Sequence, residues 1–268
     1  MEKIITITSD FGYTDEYIGV MKGVILAIAP QVRIVDLTHG IAPQDIRQAA
    51  LTIHSAYLFF PKERTIHVVV VDPGVGGARK IIAVSAKGHI FLAPDNGVLT
   101  LILQDPDLKA VYAVICEEIF LKPVSATFHG RDIFAPVAAH LAAGMKIWET
   151  GPLLSVNDLT LISFPQPVCL SKEGKIHGEI IEIDHFGNLT TNVSRNNLLH
   201  FFGERPFSTI NVSVGGYTMD RISNTYQCVP QGRFVALFNR RDQVEIALNA
   251  GHAAKSLNAA IGLRVIFY

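Results

Sequence analysis

Apolar and polar positions follow two rhythms along this chain. In the first, β-branched runs trade with stretches of helical period. Ile4–Ser9 predicts a buried strand, Tyr17–Ala29 a helix stopped by Pro30, and Arg33–Leu37 a second strand. Asp45–Phe59 sets Ile46, Ala49, Ala50, Ile53 and Tyr57 on one helical face. Thr65–Val71 contains Val68-Val69-Val70-Val71, the continuous apolar run of a parallel strand covered on both faces. Asp132–Ala143 predicts a helix whose Ala135, Ala138, Ala139 and Ala142 suit close packing. This alternation predicts a three-layer α/β domain with a mostly parallel sheet. The rhythm changes at Ser163-Phe164-Pro165-Gln166-Pro167. Beyond it lie short alternating strands at Ile176–Ile183, Ile210–Val214, Phe234–Phe238, Val244–Leu248 and Val265–Phe267, with Gly215-Gly216 and Gly232 as turn signals. They predict a smaller antiparallel β-barrel or sandwich. The expected domains are therefore 1–164, α/β, and 165–268, a β-barrel.

Composition narrows the class of function. Lys and Arg number 23 against 24 Asp and Glu, so the net charge is −1. A nucleic-acid partner is not expected, since phosphate-backbone binding usually shows as a basic excess. No apolar run approaches the roughly eighteen residues that span a bilayer, so no membrane partner is expected either. The first residues lead straight into a strand and do not read as a signal peptide, which predicts a cytoplasmic protein. Cys116, Cys169 and Cys228 are scattered and lack CxxC spacing, so neither a disulfide framework nor a zinc knuckle is suggested.

Candidate chemistry gathers after the predicted strands. Asp10 follows the first, Asp36 and His39 the second, and Asp72 the valine strand. Ligands of open α/β sheets bind outside the carboxyl ends of strands, so these residues converge on one crevice, although Asp at strand ends also caps helices and turns. Two lookalikes fail on context. Asp10-Phe11-Gly12 spells the kinase magnesium motif but has no glycine-rich loop or HRD sequence before it. Asp72-Pro73-Gly74-Val75-Gly76-Gly77-Ala78-Arg79-Lys80 is glycine-rich, yet lacks the Gly-Lys-Ser/Thr ending and runs into the β-like Ile81–Val84 in place of a helix. The loop does offer close backbone approach, with Asp72 and Arg79 at its ends. Thr127-Phe128-His129-Gly130-Arg131-Asp132 sets an imidazole beside a missing side chain, or else is a helix start with a core histidine. In the second domain, Asp184-His185-Phe186-Gly187-Asn188-Leu189-Thr190-Thr191-Asn192 is either a turn or a site. As a site, Phe186 offers a ring face, Asn188 can donate to and accept from an adenine edge, and Asp184 can take an ammonium group. Arg241 can clamp a carboxylate or remain a solvated loop charge.

Taken together, Ser9-Asp10-Phe11-Gly12, Val71-Asp72-Pro73-Gly74-Val75-Gly76, Phe128-His129-Gly130-Arg131-Asp132 and Asp184–Asn192 resemble the S-adenosylmethionine hydroxide adenosyltransferases, relatives of fluorinases and chlorinases. The resemblance covers essentially the whole chain. It implies hydrolysis of S-adenosyl-L-methionine to adenosine and L-methionine by water or hydroxide at the ribose C5′. It also implies a homotrimer whose sites are shared between neighbouring subunits. Carried over, Asp10 holds the ribose hydroxyls, and Asp72, Arg79 and His129 position and activate water. Asp184 contacts the amino group, Phe186 is an aromatic wall, Asn188 reads adenine, and Glu245 and Leu248 lie near the tail contacts to adenine. The halogenating relatives carry tyrosine at Asp72 and serine at Gly130, which favours water over halide here. One departure is Arg240, which stands where a serine is expected, with Arg241 matching a carboxylate-binding arginine.

The chemistry implied needs neither cofactor nor metal. A sulfonium leaves as a neutral thioether, so no general acid is required, and activation must come from the side of water. Two other readings stand beside this one. A metal-dependent hydrolase could use Asp10, Asp36, His39, Asp72 and His129, though their spacing fits no metal motif. A sensor could bind the adenosyl compound without turnover, though binding alone would not need Asp72, Arg79 and His129.

Overall fold

The computed structural model describes residues 2–268, which fall into two compact units that divide between Ser163 and Phe164. The first unit opens with β1 (Ile4–Ser9), α1 (Tyr17–Ile28), β2 (Arg33–Thr38), α2 (Ile46–Ala56) and β3 (Thr65–Val70). It continues through β4 (Ile81–Ala86), β5 (His89–Pro94), α3 (Thr100–Leu103), β6 (Leu108–Ala113) and α4 (Ala135–Ala143). The sheet order is β2-β1-β3-β5-β4-β6. β1 pairs parallel with β2 and β3, and β3 parallel with β5, whereas β4 pairs antiparallel with both β5 and β6. The reversal lies at Lys87-Gly88, both at positive φ (49° and 78°), because a turn that tight can join only antiparallel neighbours.

Every residue of β3 is buried, and its pleat sends alternate valines to opposite layers. Val68 and Val70 join Ile5, Ile7, Met21, Ile25, Phe134 and Ala138 in one core. Val69 and Val71 join Ala49, Ile53, Tyr57 and Phe91 in the other. Each of these valines contributes about 1.5–3 kcal/mol on burial. Asp45 caps α2 by accepting from the Gln48 amide at 2.9 Å. That helix ends at Ala56 and tightens into a 3-10 turn over Tyr57–Phe59, earlier than its apolar period suggests. α4 is preceded by one π-helical turn, Gly130–Phe134, so the helical segment starts two residues before Asp132.

The second unit comprises β7 (Val168–Leu170), β8 (Lys175–Ile183), β9 (Leu189–Ser194), α5 (Arg195–Phe202), β10 (Val212–Val214) and β11 (Tyr217–Met219). After these come β12 (Ile222–Ser223), β13 (Phe234–Phe238), β14 (Gln243–Leu248), α6 (Ala253–Leu257) and β15 (Arg264–Phe267). The path β11-β10-β15-β8-β9-β14-β13 is antiparallel throughout, and β12 adds to β13 in parallel. Tyr217 of β11 meets Phe234 of β13 with ring centroids 4.7 Å apart, so the two ends of the sheet curl toward each other in a near-barrel. Inside lie Ile176, Ile180, Leu189, Val193, Val212, Ile246, Val265 and Phe267. Among the described residues, no helix is long and apolar enough to cross a membrane.

Candidate active site

Ser9 pairs in register with Val70, so Asp10 and Asp72 leave the first sheet at the same carboxyl edge. Gly76 seats the glycine-rich loop there. It has φ +75°, and a Cβ on it would stand 2.1 Å from the Ala126 carbonyl oxygen, so only glycine lets the loop lie against the segment that carries His129. Arg79 then reaches between the two. Its Nε donates to Asp72 at 3.1 Å (Oδ1) and 2.9 Å (Oδ2), and its Nη2 donates to Asp72 Oδ2 at 2.5 Å and to His129 Nδ1 at 2.7 Å. The ion pair is nearly dry, with side-chain exposures of 12% for Arg79 and 4% for Asp72. Burial, and then the Arg79 cation, hold the His129 imidazole below its ordinary pKa. His129 is thus neutral near pH 7, and because Nδ1 accepts from Arg79, its proton sits on Nε2.

The segment bearing His129 is fixed from behind. Asp132 is fully buried, pairs with Arg131, and accepts from the Ser125 amide at 2.8 Å, while Ser125 Oγ accepts from the Phe128 amide at 2.8 Å. A pocket of about 340 Å³ opens in front, lined by Asp10, Phe11, Gln44, Asp72, Phe128 and His129 among others. Arg79 stays behind this lining, bonded to Asp72 and His129, which are both part of it. Asp10 Oδ2 accepts from the Gln44 amide at 2.8 Å. Phe11, Tyr17 and Phe128 form an edge-packed aromatic group at one side, with centroids 5.1–6.2 Å apart. The polar pattern gives no sign of Gln44 or of this aromatic group, since both depend on how loops fold back.

Asp36 and His39 serve a neighbouring network. His39 is buried, its Nδ1 lies 2.8 Å from Ser9 Oγ and its Nε2 3.0 Å from Asp36 Oδ1, while Lys22 pairs with Asp36 at 2.6 Å. The His39 carbonyl also accepts from the Gly12 amide at 2.9 Å, which steadies the loop presenting Asp10. Among the described residues, no group of three or more His, Cys, Asp or Glu side chains is placed to hold a metal ion.

The second unit holds its polar residues on one turn and one pocket. Asp184 Oδ1 accepts from the amides of Phe186 (2.9 Å) and Asn188 (2.8 Å), and Oδ2 from Asn188 Nδ2 at 3.0 Å. The turn's Gly187 has φ +83°, and a Cβ on it would lie 1.9 Å from His252 Nδ1. Phe186 projects outward, 71% exposed, and the Asn188 carboxamide enters the turn through its Nδ2, which donates to Asp184. A pocket of about 460 Å³ is lined by Glu182, Asp184, Tyr226, Arg240, Arg241 and Glu245 among others. Arg241 pairs with Glu182. Tyr226 donates to Glu245 at 2.8 Å. Burial, reinforced by Asp184, pushes the Glu245 carboxyl up, and burial against Glu245 pushes the Tyr226 phenol up to about 12. Leu248, at the end of β14, packs beneath Gly251, away from that lining. Sequence reasoning missed Glu182 and Tyr226. Glu182 was legible, because it sits two residues before Asp184 and strand period puts both on one face.

The order of these motifs along two such units is that of one family. Residues 5–151 match the SAM hydroxide adenosyltransferase N-terminal domain, and residues 178–266 match its C-terminal domain. The chain belongs to the SAM hydroxide adenosyltransferase family. It is 37% identical over 268 residues to a Thermus thermophilus protein named (R)-S-adenosyl-L-methionine hydrolase, with 96% of each chain covered. A Salinispora tropica protein of the same name is 33% identical, covering 97% of this chain and 96% of the relative. An Actinoplanes protein named fluorinase is 32% identical over 73% of each chain. The crystal structure of an uncharacterized conserved protein from Thermotoga maritima matches with a TM-score of 0.89 at 34% identity, over 98% of this chain and 99% of that one.

Proposed function

We propose that this protein hydrolyses (R)-S-adenosyl-L-methionine to adenosine and L-methionine by attack of water at the ribose C5′, without a metal ion. The observation that carries the reading is the Asp72–Arg79–His129 constellation at the wall of a pocket that Asp10 shares. Water between Asp72 and His129 finds complementary partners. His129 Nε2–H donates to the water oxygen, and Asp72, whose oxygens keep free lone pairs beside their Arg79 bonds, accepts a water proton. A halide could not use that acceptor. As the C5′–O bond forms, the C5′–S pair moves onto sulfur, the thioether leaves neutral, and the proton passes from Asp72 to solvent. Alignment of water with C5′ is worth roughly 7–11 kcal/mol in well-oriented systems. In this reading Asp10 holds the ribose hydroxyls, Asn188 and Phe186 the adenine, Asp184 the ammonium group and Arg241 the carboxylate. Glu245 and Leu248 lie near the adenine, and Arg240 beside the amino-acid tail. A homotrimer with sites shared between neighbours is part of the same proposal, and light scattering of the protein in solution tests the oligomeric state.

The decisive experiment is turnover in ¹⁸O-labelled water with chelator present, followed by mass spectrometry. Label at the adenosine 5′ oxygen with methionine released is the expected result. Activity lost to chelator would overturn the metal-free step, and bound substrate without turnover would favour a sensor.

A further inference from the structure

Asp10 is presented by a loop that one buried residue ties down on both sides. β1 and β2 run parallel, and their register slips between the pairs Ile7–Asp36 and Thr8–Thr38. On a regular strand Asp36 and His39, an odd number of positions apart, would face opposite ways. The slip turns them to the same side, as a bulge beside a site commonly does. His39 Nε2 then lies 3.0 Å from Asp36 Oδ1 and Nδ1 lies 2.8 Å from Ser9 Oγ, with Ser9 and His39 both fully buried. Burial works to raise the Asp36 carboxyl, but its contacts with Lys22 and His39 outweigh it, so Asp36 stays ionised. A carboxylate only accepts. It therefore puts the imidazole proton on Nε2 and leaves Nδ1 to accept from the Ser9 hydroxyl. The main chain of His39 completes the hold, since its carbonyl accepts from the Gly12 amide at 2.9 Å and its amide donates to Tyr13 Oη at 3.1 Å. Asp10 thus sits between Ser9 and Gly12, both anchored on one residue. Asp10 lines the pocket, whereas Ser9 and His39 stay behind it.

We infer that His39 is a positioning residue for ribose recognition: its imidazole, oriented by Asp36, fixes Ser9 and so aims the Asp10 carboxylate at the ribose hydroxyls. The inference rests on the assignment of those hydroxyls to Asp10 and adds the group that holds it in place. A nucleoside that carries the 2′ and 3′ hydroxyls should therefore feel a change at His39, and one that lacks them should not.

The test measures binding of adenosine and of 2′,3′-dideoxyadenosine by calorimetry to the full-length wild type, Asp10→Ala, His39→Ala and the double variant. His39→Ala is expected to weaken adenosine about tenfold, the scale of a lost buried hydrogen bond, and to leave dideoxyadenosine within about twofold. The double variant is expected to bind adenosine no worse than Asp10→Ala alone, because both substitutions remove the same interaction. His39→Gln keeps a donor near Asp36 but draws away from Ser9, so it should behave as His39→Ala and serves if the alanine variant does not fold. His39→Asn places a carboxamide atom where Nδ1 stood and should recover most of the lost affinity. Equal losses for both nucleosides, or losses that add in the double variant, would mean that His39 is merely structural and would overturn the inference. If Asp10→Ala itself leaves the preference for adenosine unchanged, the ribose assignment falls. A preference that Asp10→Ala abolishes and His39 variants do not move overturns the role of His39 alone.

Discussion

The two units present opposite kinds of site. In the first, the charged groups are already bonded to one another: Arg79 joins Asp72 to His129, and Asp132 and Ser125 brace the segment behind. Little has to move when substrate arrives, which suits groups that must act on a reacting atom. In the second, Phe186 lies open, Asn188 enters the turn through its carboxamide nitrogen, and Arg241 is held by Glu182. That arrangement suits recognition, where exchange of partners decides which ligand stays. Under the proposed function, this difference predicts that changes in the first unit act on rate and changes in the second on affinity.

The largest expected effect tests that division directly. Arg79→Ala should lower kcat by about 10²–10⁴-fold, the usual worth of a proton-transfer arrangement, while adenosine affinity holds within about twofold. The guanidinium is behind the pocket wall, so its loss misplaces Asp72 and His129 without removing a ligand contact. Stopped or quenched-flow turnover with parallel calorimetry measures both. An affinity loss as large as the rate loss would erase the distinction between the units.

A second contrast lies within the first unit, between two kinds of histidine. His129 faces a pocket, whereas His67 is sealed beside His89, Tyr57 and Phe91, with Thr6 Oγ1 at 2.7 Å from Nδ1. Burial, aided by His89, depresses His67 from 6.5 to about 3. Its neutral form is the one the fold accepts, so the unfolded chain binds the proton first as pH falls. The contribution is complete above about pH 6.5 and eroded between 6.5 and 3. At pH 5 the loss from this group is about 2 kcal/mol. Denaturant melts from pH 7 to pH 5 should show that loss in the wild type and a shallower slope in His67→Gln. An equal slope in both would place the acid sensitivity elsewhere.

Much of this was legible in the chain. The valine strand, the amphipathic α2 and the alanine face of α4 read directly from period and residue size, because burial alone decides them. Asp10 and Asp72 read from strand ends and Arg79 from the glycine loop, whereas His129 reads only as an imidazole beside Gly130, with a core histidine as the alternative. What did not read through depends on tertiary pairing. β9 spells Leu-Thr-Thr-Asn-Val-Ser and so has no clean apolar pattern. The reversal of β4 rests on a two-residue turn of Lys87-Gly88 that looks like any loop. The Glu182–Arg241 pair joins residues 59 positions apart, and no local pattern announces it.

On the affinity side, Asn188→Ala removes the carboxamide and one of the bonds that fix Asp184. Adenosine and every adenosyl ligand should bind about tenfold more weakly, the scale of one or two lost hydrogen bonds, with kcat at saturation nearly unchanged. Calorimetry against adenosine is the measurement. A drop in kcat with affinity intact would contradict the assignment of recognition to the second unit.

The finest test concerns a midpoint and no amplitude. His129 accepts from Arg79 through Nδ1 only while it is neutral. Protonation places a hydrogen between two cations and breaks the constellation, so kcat/KM should fall as pH drops through the lowered pKa of His129. The midpoint of that limb is expected below 6.5, since burial and then Arg79 both act in that direction. Asp72 acts the other way, as its carboxylate favours the protonated imidazole. In Asp72→Asn the residual activity should therefore show a limb moved to still lower pH, whatever its height. A limb that moved upward would mean that the titrating group is not His129, and that the first unit is wired through some residue other than this histidine.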